Sequence, residues 1–327
     1  MRNKTYVLTA VLAVAGVAGC SKKKEGAPAT TGSGSAMAGH DHGSAAGSMA
    51  GAMAGHDHGS MAGSAPGAMA GAMVATDPGR PSATGALDEA SFKALHQLRT
   101  DAAPALHGTV IDLAGGKAYL SLPAGQPPFP AVLVIHEWWG MNQHIEHWAD
   151  RLANAGYAAL AVDLYQGKVA TTPDEAMTAM KSVDQAKAAA TINAGLELLA
   201  QDPRVVARKR GVIGWCFGGG WSLQTALAHP DLDATVMYYG QLETDPVKLT
   251  AIKSKLLGIF ANKDTGIPPA EVDKFASALG EAKVDAKILR YDADHAFANP
   301  SGAKYDQAAA TSAWAEVEKF LAANLKQ

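Results

Sequence analysis

Residues 211 to 220 read GVIGWCFGGG, with a single thiol, Cys216, flanked two positions away on either side by Gly214 and Gly218. Gly-x-Cys-x-Gly between an apolar strand and a helix is the pattern of a nucleophile held on a sharp turn. Such a turn crowds the residues two positions away, which explains the glycines. A helix amino terminus behind the sulfur favours thiolate through unpaired N–H groups and the macrodipole. GWCFGGG does not end in Gly-Lys-Ser/Thr, so it is not read as a phosphate-cradling loop. A thiolate can attack an acyl carbon, but turnover needs a proton carrier for the leaving group and for the water that releases the acid. His295, in RYDADHAFANP, follows the last predicted strand and can carry that proton. Asp264, in GIFANKDTGIP, follows another strand and can orient the imidazole. Asp292 and Asp294 are nearer in the chain, but sequence neighbours rarely present a carboxylate squarely to Nδ1, so both are read as loop charges.

The elements that must bring these groups together alternate along the chain. Strands are predicted at 117–122, 130–136, 157–163, 210–215, 234–239, 255–261 and 284–291, and helices near 143–154, 174–200, 218–228, 269–280 and 304–325. Continuous apolar runs such as AVLVI (131–135), ATVMYY (234–239) and LLGIF (256–260) suit strands covered on both faces. The alternation predicts an α/β fold, a mostly parallel, doubly wound sheet flanked by helices, over residues 103–327, with a helical lead-in at 86–102. Active groups in such sheets gather beyond the carboxyl ends of the strands.

The chain order Cys216, Asp264, His295 is the nucleophile-acid-histidine order of the α/β-hydrolase fold. Further motifs are IHEWWG (135–140), Asp163-Leu164-Tyr165 and His295-Ala296-Phe297. With these, residues 103–327 resemble the dienelactone hydrolase family of α/β-hydrolases. The resemblance implies that Glu137 contacts the resting nucleophile and tunes its ionisation. It also implies that the backbone N–H groups of Trp138 and Phe217 form an oxyanion hole. The implied activity is hydrolysis of a small-molecule ester or lactone through a thioester on Cys216, without a cofactor. Two arginines that hold the substrate carboxylate in enzymes acting on dienelactone are replaced here by Gly167 and Asn299, with Lys168 beside the first. The family serine after the histidine is Ala296. HEWWG and His144-Ile145-Glu146-His147 depart from the zinc-site spacings, so His144 and His147 are read as ordinary helix residues.

The amino terminus carries a separate message. Arg2 and Lys4 precede an apolar run from Tyr6 to Val17, and small residues lead to Cys20, as in a secretory signal over 1–19. Val17-Ala18-Gly19-Cys20 resembles the lipobox of bacterial lipoproteins, which implies acylation of Cys20 and an extracytoplasmic, membrane-anchored protein, with Ser21 leaning toward the outer membrane. Loss of Arg2 and Lys4 takes the formal charge from −3 to about −5, which leaves no basic field for nucleic acid. Cys216 is then the one unmodified thiol, and it has no internal disulfide partner.

Residues 20–85 are dominated by Ala, Gly, Ser, Met and His, too poor in large apolar side chains to bury a core, and are read as a disordered tether. AMAGHDHGS occurs at 36–44 and again at 52–60. His40, His42, His56 and His58, with interspersed methionines, are candidate ligands for copper. The rival reading is therefore a copper-handling lipoprotein whose hydrolase-like domain is non-catalytic; the plain one is a spacer lengthened by duplication.

Overall fold

The computed structural model describes residues 106–326. The signal, Cys20, the tether with His40, His42, His56 and His58, and the helical lead-in all lie outside the described residues. Eight strands form one sheet: β1 (Thr109–Leu113), β2 (Gly116–Ser121), β3 (Ala131–Ile135), β4 (Ala158–Val162), β5 (Arg210–Trp215), β6 (Ala234–Tyr238), β7 (Lys255–Ala261) and β8 (Ala286–Tyr291). Their order is β1-β2-β4-β3-β5-β6-β7-β8. The pairs from β4 to β8 are parallel, whereas β1 with β2 and β2 with β4 are antiparallel.

Every residue of β3, β4 and β6 is buried, so the period-2 alternation of a strand sorts side chains between two cores rather than between core and water. Val132, Val134, Ile213 and Val236 face α1 (Gln143–Asn154) and the carboxyl-terminal α7 (Gln307–Leu325). At the centre of that layer Trp148 stacks on Trp215 at 4.6 Å and leans on Trp314 at 4.8 Å. Leu133, Ile135 and Val162 face the opposite layer, where α3 (Gln185–Gln201) packs. Met237, Leu256 and Phe260 continue this layer under α4 (Phe217–Ala228) and α6 (Pro269–Glu281). Each fully buried aliphatic side chain contributes about 1.5–3 kcal/mol to this sandwich.

Three local departures from the sequence expectations have physical causes. β1 is an edge strand that pairs through the two-residue turn Ala114-Gly115, both with positive φ (50° and 80°); TVIDL is too short and too exposed to stand out as a strand. The single helix expected over 174–200 is two, α2 (Pro173–Lys181) and α3. Asp184 ends the first possibility of continuation by capping α3, its carboxylate accepting the Ala186 and Lys187 N–H groups at 3.1 and 3.0 Å. One additional turn, α5 (Pro246–Leu249), is capped by Asp245 in the same way.

Candidate active site

β5 runs from Arg210 to Trp215, and Cys216 then reverses the chain directly into α4, with φ 54° and ψ −115°. This is a strained conformation for a residue with a side chain, and it is held by the surrounding structure: the Cys216 N–H donates to Tyr238 O at 3.0 Å. A Cβ on Gly214 would lie 2.3 Å from Gly218 O, and one on Gly218 would lie 2.3 Å from Ile135 O, so no larger residue fits either place. Tyr239 and Ala296, which flank the same region, also have positive φ (33° and 64°).

Asp264 lies beyond β7, and only 4% of its surface is exposed. Its Oδ1 accepts the Gly266 and Ile267 N–H groups at 2.8 and 3.0 Å, which aims Oδ2 at His295 Nδ1, 2.6 Å away. Burial opposes the ionised form of Asp264, but the His295 hydrogen bond and these two N–H donors outweigh it and bring the carboxyl below its usual range. His295 follows β8, on a loop pinned by fully buried Phe297, which packs on Tyr239 and Tyr291. Burial disfavours its charged form, yet hydrogen bonds to Asp264 and to Cys216, with the charges of both, raise it to about 10. Cys216, His295 and Asp264 thus gather beyond the carboxyl ends of three strands, with His295 hydrogen-bonded to Asp264 and under the influence of the Cys216 sulfur. Asp292 and Asp294 stand at the surface, where Asp292 meets Lys263 at 3.3 Å and Asp294 meets Lys304 at 3.7 Å.

Glu137 follows β3 and is 3% exposed. Its Oε2 accepts a hydrogen bond from Asn299 Nδ2 at 2.6 Å; no hydrogen bond joins it to Cys216 among the described residues. Burial raises the Glu137 carboxyl to about 7, against the opposing pull of the His295 charge and the Asn299 amide. The unfolded carboxyl titrates near 4.5 and the folded one near 7, so the folded protein takes up a proton between these values, and stability falls as pH rises through that window. The loss is on the order of 3 kcal/mol. Glu137→Gln keeps an acceptor for Asn299 and removes the buried charge. It is expected to exceed the parent in stability by that amount near pH 8 and to match it near pH 4, as read by urea unfolding at both; equal stability at the higher pH would show that the carboxylate carries no desolvation cost.

The backbone donors that the resemblance implies, Trp138 and Phe217, follow β3 and Cys216 in the chain. Phe217 opens α4, so its N–H has no helical acceptor, and the Trp138 N–H meets no acceptor among the described residues. Fully buried His136 sets this loop. Its Nδ1–H donates to Glu137 O at 2.6 Å and its Nε2 accepts the Leu164 N–H at 3.0 Å. Burial holds the ring neutral, and Nε2 presents a lone pair, so Asp163 Oδ1 at 3.9 Å is a neighbour and not an ion-pair partner. His136 thereby ties the HEWWG loop to the Asp-Leu-Tyr turn. His144 and His147 are buried on α1, with the Trp148 indole N–H donating to His144 Nε2 at 3.2 Å. Among the described residues no three His, Cys, Asp or Glu side chains are grouped to hold a metal ion.

A cavity of about 800 Å³ opens over Cys216 and His295. Sequence reasoning missed Tyr239, which lines the cavity with its ring 4.9 Å from that of His295, and it missed Asn299 as the partner of Glu137. The only trace of Asn299's role was its position four residues past His295.

A parallel sheet in this order, with the thiol on its strand-to-helix turn, the acid beyond β7 and the histidine beyond β8, defines an α/β-hydrolase. The dienelactone hydrolase family model matches residues 117–325. A Synechocystis protein provisionally named carboxymethylenebutenolidase is 32% identical over 226 residues, 64% of this chain and 92% of the relative. A Klebsiella pneumoniae crystal structure provisionally named dienelactone hydrolase superposes with TM-score 0.60 and 28% identity, covering 66% of this chain and 97% of that one. The dienelactone hydrolase-like promiscuous phosphotriesterase P91 from metagenomic libraries gives TM-score 0.61 and 25% identity, covering 66% and 98%. The chain belongs to the dienelactone hydrolase family and is a dienelactone hydrolase-like hydrolase.

Proposed function

We propose that this hydrolase cleaves an ester or lactone through a thioester on Cys216, with His295 as proton carrier and Asp264 as its orienting partner. The observation that carries the reading is that His295 lines the cavity beside Cys216 while its Nδ1 is held by buried Asp264. Nδ1 of His295 is committed to Asp264, so Nε2 carries the proton exchanged with sulfur and substrate.

The thiolate attacks the carbonyl carbon, and the carbonyl oxygen takes the negative charge against the Trp138 and Phe217 N–H groups. Collapse breaks the bond to the leaving oxygen, which receives the Nε2 proton of His295. A water molecule then loses its proton to the neutral imidazole and attacks the thioester. The second collapse expels thiolate, releases the acid and leaves His295 protonated again. Glu137 tunes the sulfur through its charge and has no bond to break.

The same protein is, in this reading, anchored outside the cytoplasm by acyl chains on Cys20; the support is the sequence at 1–20 alone. Mass spectrometry of the full chain extracted from a Gram-negative host tests both parts. Rapid acid quench with a short-chain aryl ester is expected to leave one acyl increment on the Cys216 peptide, and the amino-terminal peptide is expected to begin at acylated Cys20. An acyl group on another residue sinks the mechanism; an unmodified Cys20 sinks the anchor.

A further inference from the structure

Among the described residues no lysine or arginine lines the cavity over Cys216, and the charge of His295 is already engaged by Asp264 and Cys216. The ionisable walls of the cavity apart from Cys216, Tyr239 and His295 are two carboxylates, Glu243 and Glu271. Their partners, Lys248 at 2.8 Å and Lys274 at 2.7 Å, stand outside the lining. The remaining polar side chains of the wall include three carboxamides, Gln185, Gln224 and Gln241, each exposed to the cavity solvent. Trp221, Leu242 and Ile267 supply an apolar surface. The positions where a substrate carboxylate would find arginines offer nothing in their place. Asn299 is spent on Glu137, Gly167 is exposed on the turn after β4, and Lys168 is exposed there and does not line the cavity.

We infer that the site selects uncharged esters or lactones and rejects those bearing a carboxylate, taking a neutral hydrogen-bonding group against the carboxamide wall and an apolar or aromatic part against Trp221. The inference rests on the ester-cleaving reading above. A substrate anion entering this cavity would exchange its hydration for amides and two carboxylates, with no lysine or arginine among the described lining residues to compensate, which is a penalty against the wrong ligand rather than a contact for the right one. The volume accommodates a drug-sized molecule, for which sites of roughly 300–1,000 Å³ are usual.

The test uses two 4-nitrophenyl esters of adipic acid that differ only at the far end, carboxamide in one and carboxylate in the other. The full-length protein is expected to turn over the carboxamide with kcat/KM at least about 100-fold higher. Gln241→Arg and, independently, Gln224→Arg place a cation in the wall and are expected to narrow the gap about tenfold or more, with the narrowing weakened by added salt. Equal or faster turnover of the carboxylate ester by the parent, abolished in Cys216→Ala, overturns the inference and leaves the mechanism standing. Turnover of neither ester, or turnover of both that survives Cys216→Ala, overturns the mechanism and the inference with it.

Discussion

Cys216→Ala is expected to lower kcat/KM on a neutral aryl ester by about 10⁴-fold or more while leaving the fold intact. The side chain is small and sits half-buried at the cavity floor, so alanine removes the sulfur without opening a void in either core. What remains is the binding surface and the Trp138 and Phe217 N–H groups, which in the proposed mechanism would polarise a carbonyl but provide nothing to attack it. Cys216→Ser separates nucleophile from geometry. The backbone at this position already has φ 54°, which serine tolerates no worse, but an alcohol does not rest ionised beside an imidazolium as a thiol can, so its proton must be taken by the imidazole as it attacks. Serine is expected to fall about 10²- to 10³-fold below cysteine. Matching stability and matching circular dichroism, with activity unchanged in Cys216→Ala, would assign the reaction to another residue.

Asp264→Asn is the second large effect, about 10³- to 10⁴-fold in kcat. The carboxylate accepts three N–H groups, those of Gly266, Ile267 and His295, and an amide in its place directs two of its own protons into the same space. Where its N–H₂ meets Nδ1, the imidazole must accept there and carry its proton on Nε2 even when neutral, which blocks it as a base toward water. Removing the charge also removes part of what raises His295. In the parent, His295 contributes stability that is fully present below about 6.5 and is lost as pH rises through about 10. The stability gap between parent and Asp264→Asn is therefore expected to be widest near pH 6 and to shrink toward pH 10. The alkaline limb of the parent's pH profile, set by loss of the His295 proton, is expected near 10 and to move downward in the variant. A limb at the same pH in both proteins would remove Asp264 from the proton path.

Legibility from sequence followed the range of the forces involved. The glycines about Cys216 are written in the chain because the crowding of a sharp turn is largely a local matter; a Cβ on Gly214 or Gly218 would come within 2.3 Å of a backbone oxygen. The buried strands were equally plain, since runs such as AVLVI have no polar face to show. The break at Asp184 was harder. QAKAAATINAGLELLAQ and PDEAMTAMK each favour helix, and only the capping geometry of one aspartate separates them. That break matters to the site, because Met180, Val183 and Gln185, around it, line the cavity. β1 escaped notice because an exposed edge strand of five residues is defined by its neighbour more than by its own composition.

By itself the chain determined the layered α/β architecture, the turn that presents a thiol, and the order of acid and histidine behind it. These depend on side-chain periodicity, local sterics and connectivity, all of which are properties of neighbours along the backbone. Only the tertiary structure decided that Asn299, 162 positions from Glu137, donates to it, that His136 locks the loop carrying Trp138, and that the wall over Cys216 holds carboxamides and carboxylates but, among the described residues, no lysine or arginine. Those pairings arise where separate elements are packed against one another at close range, and hydrogen bonding and burial act on distance in space, not on distance in sequence.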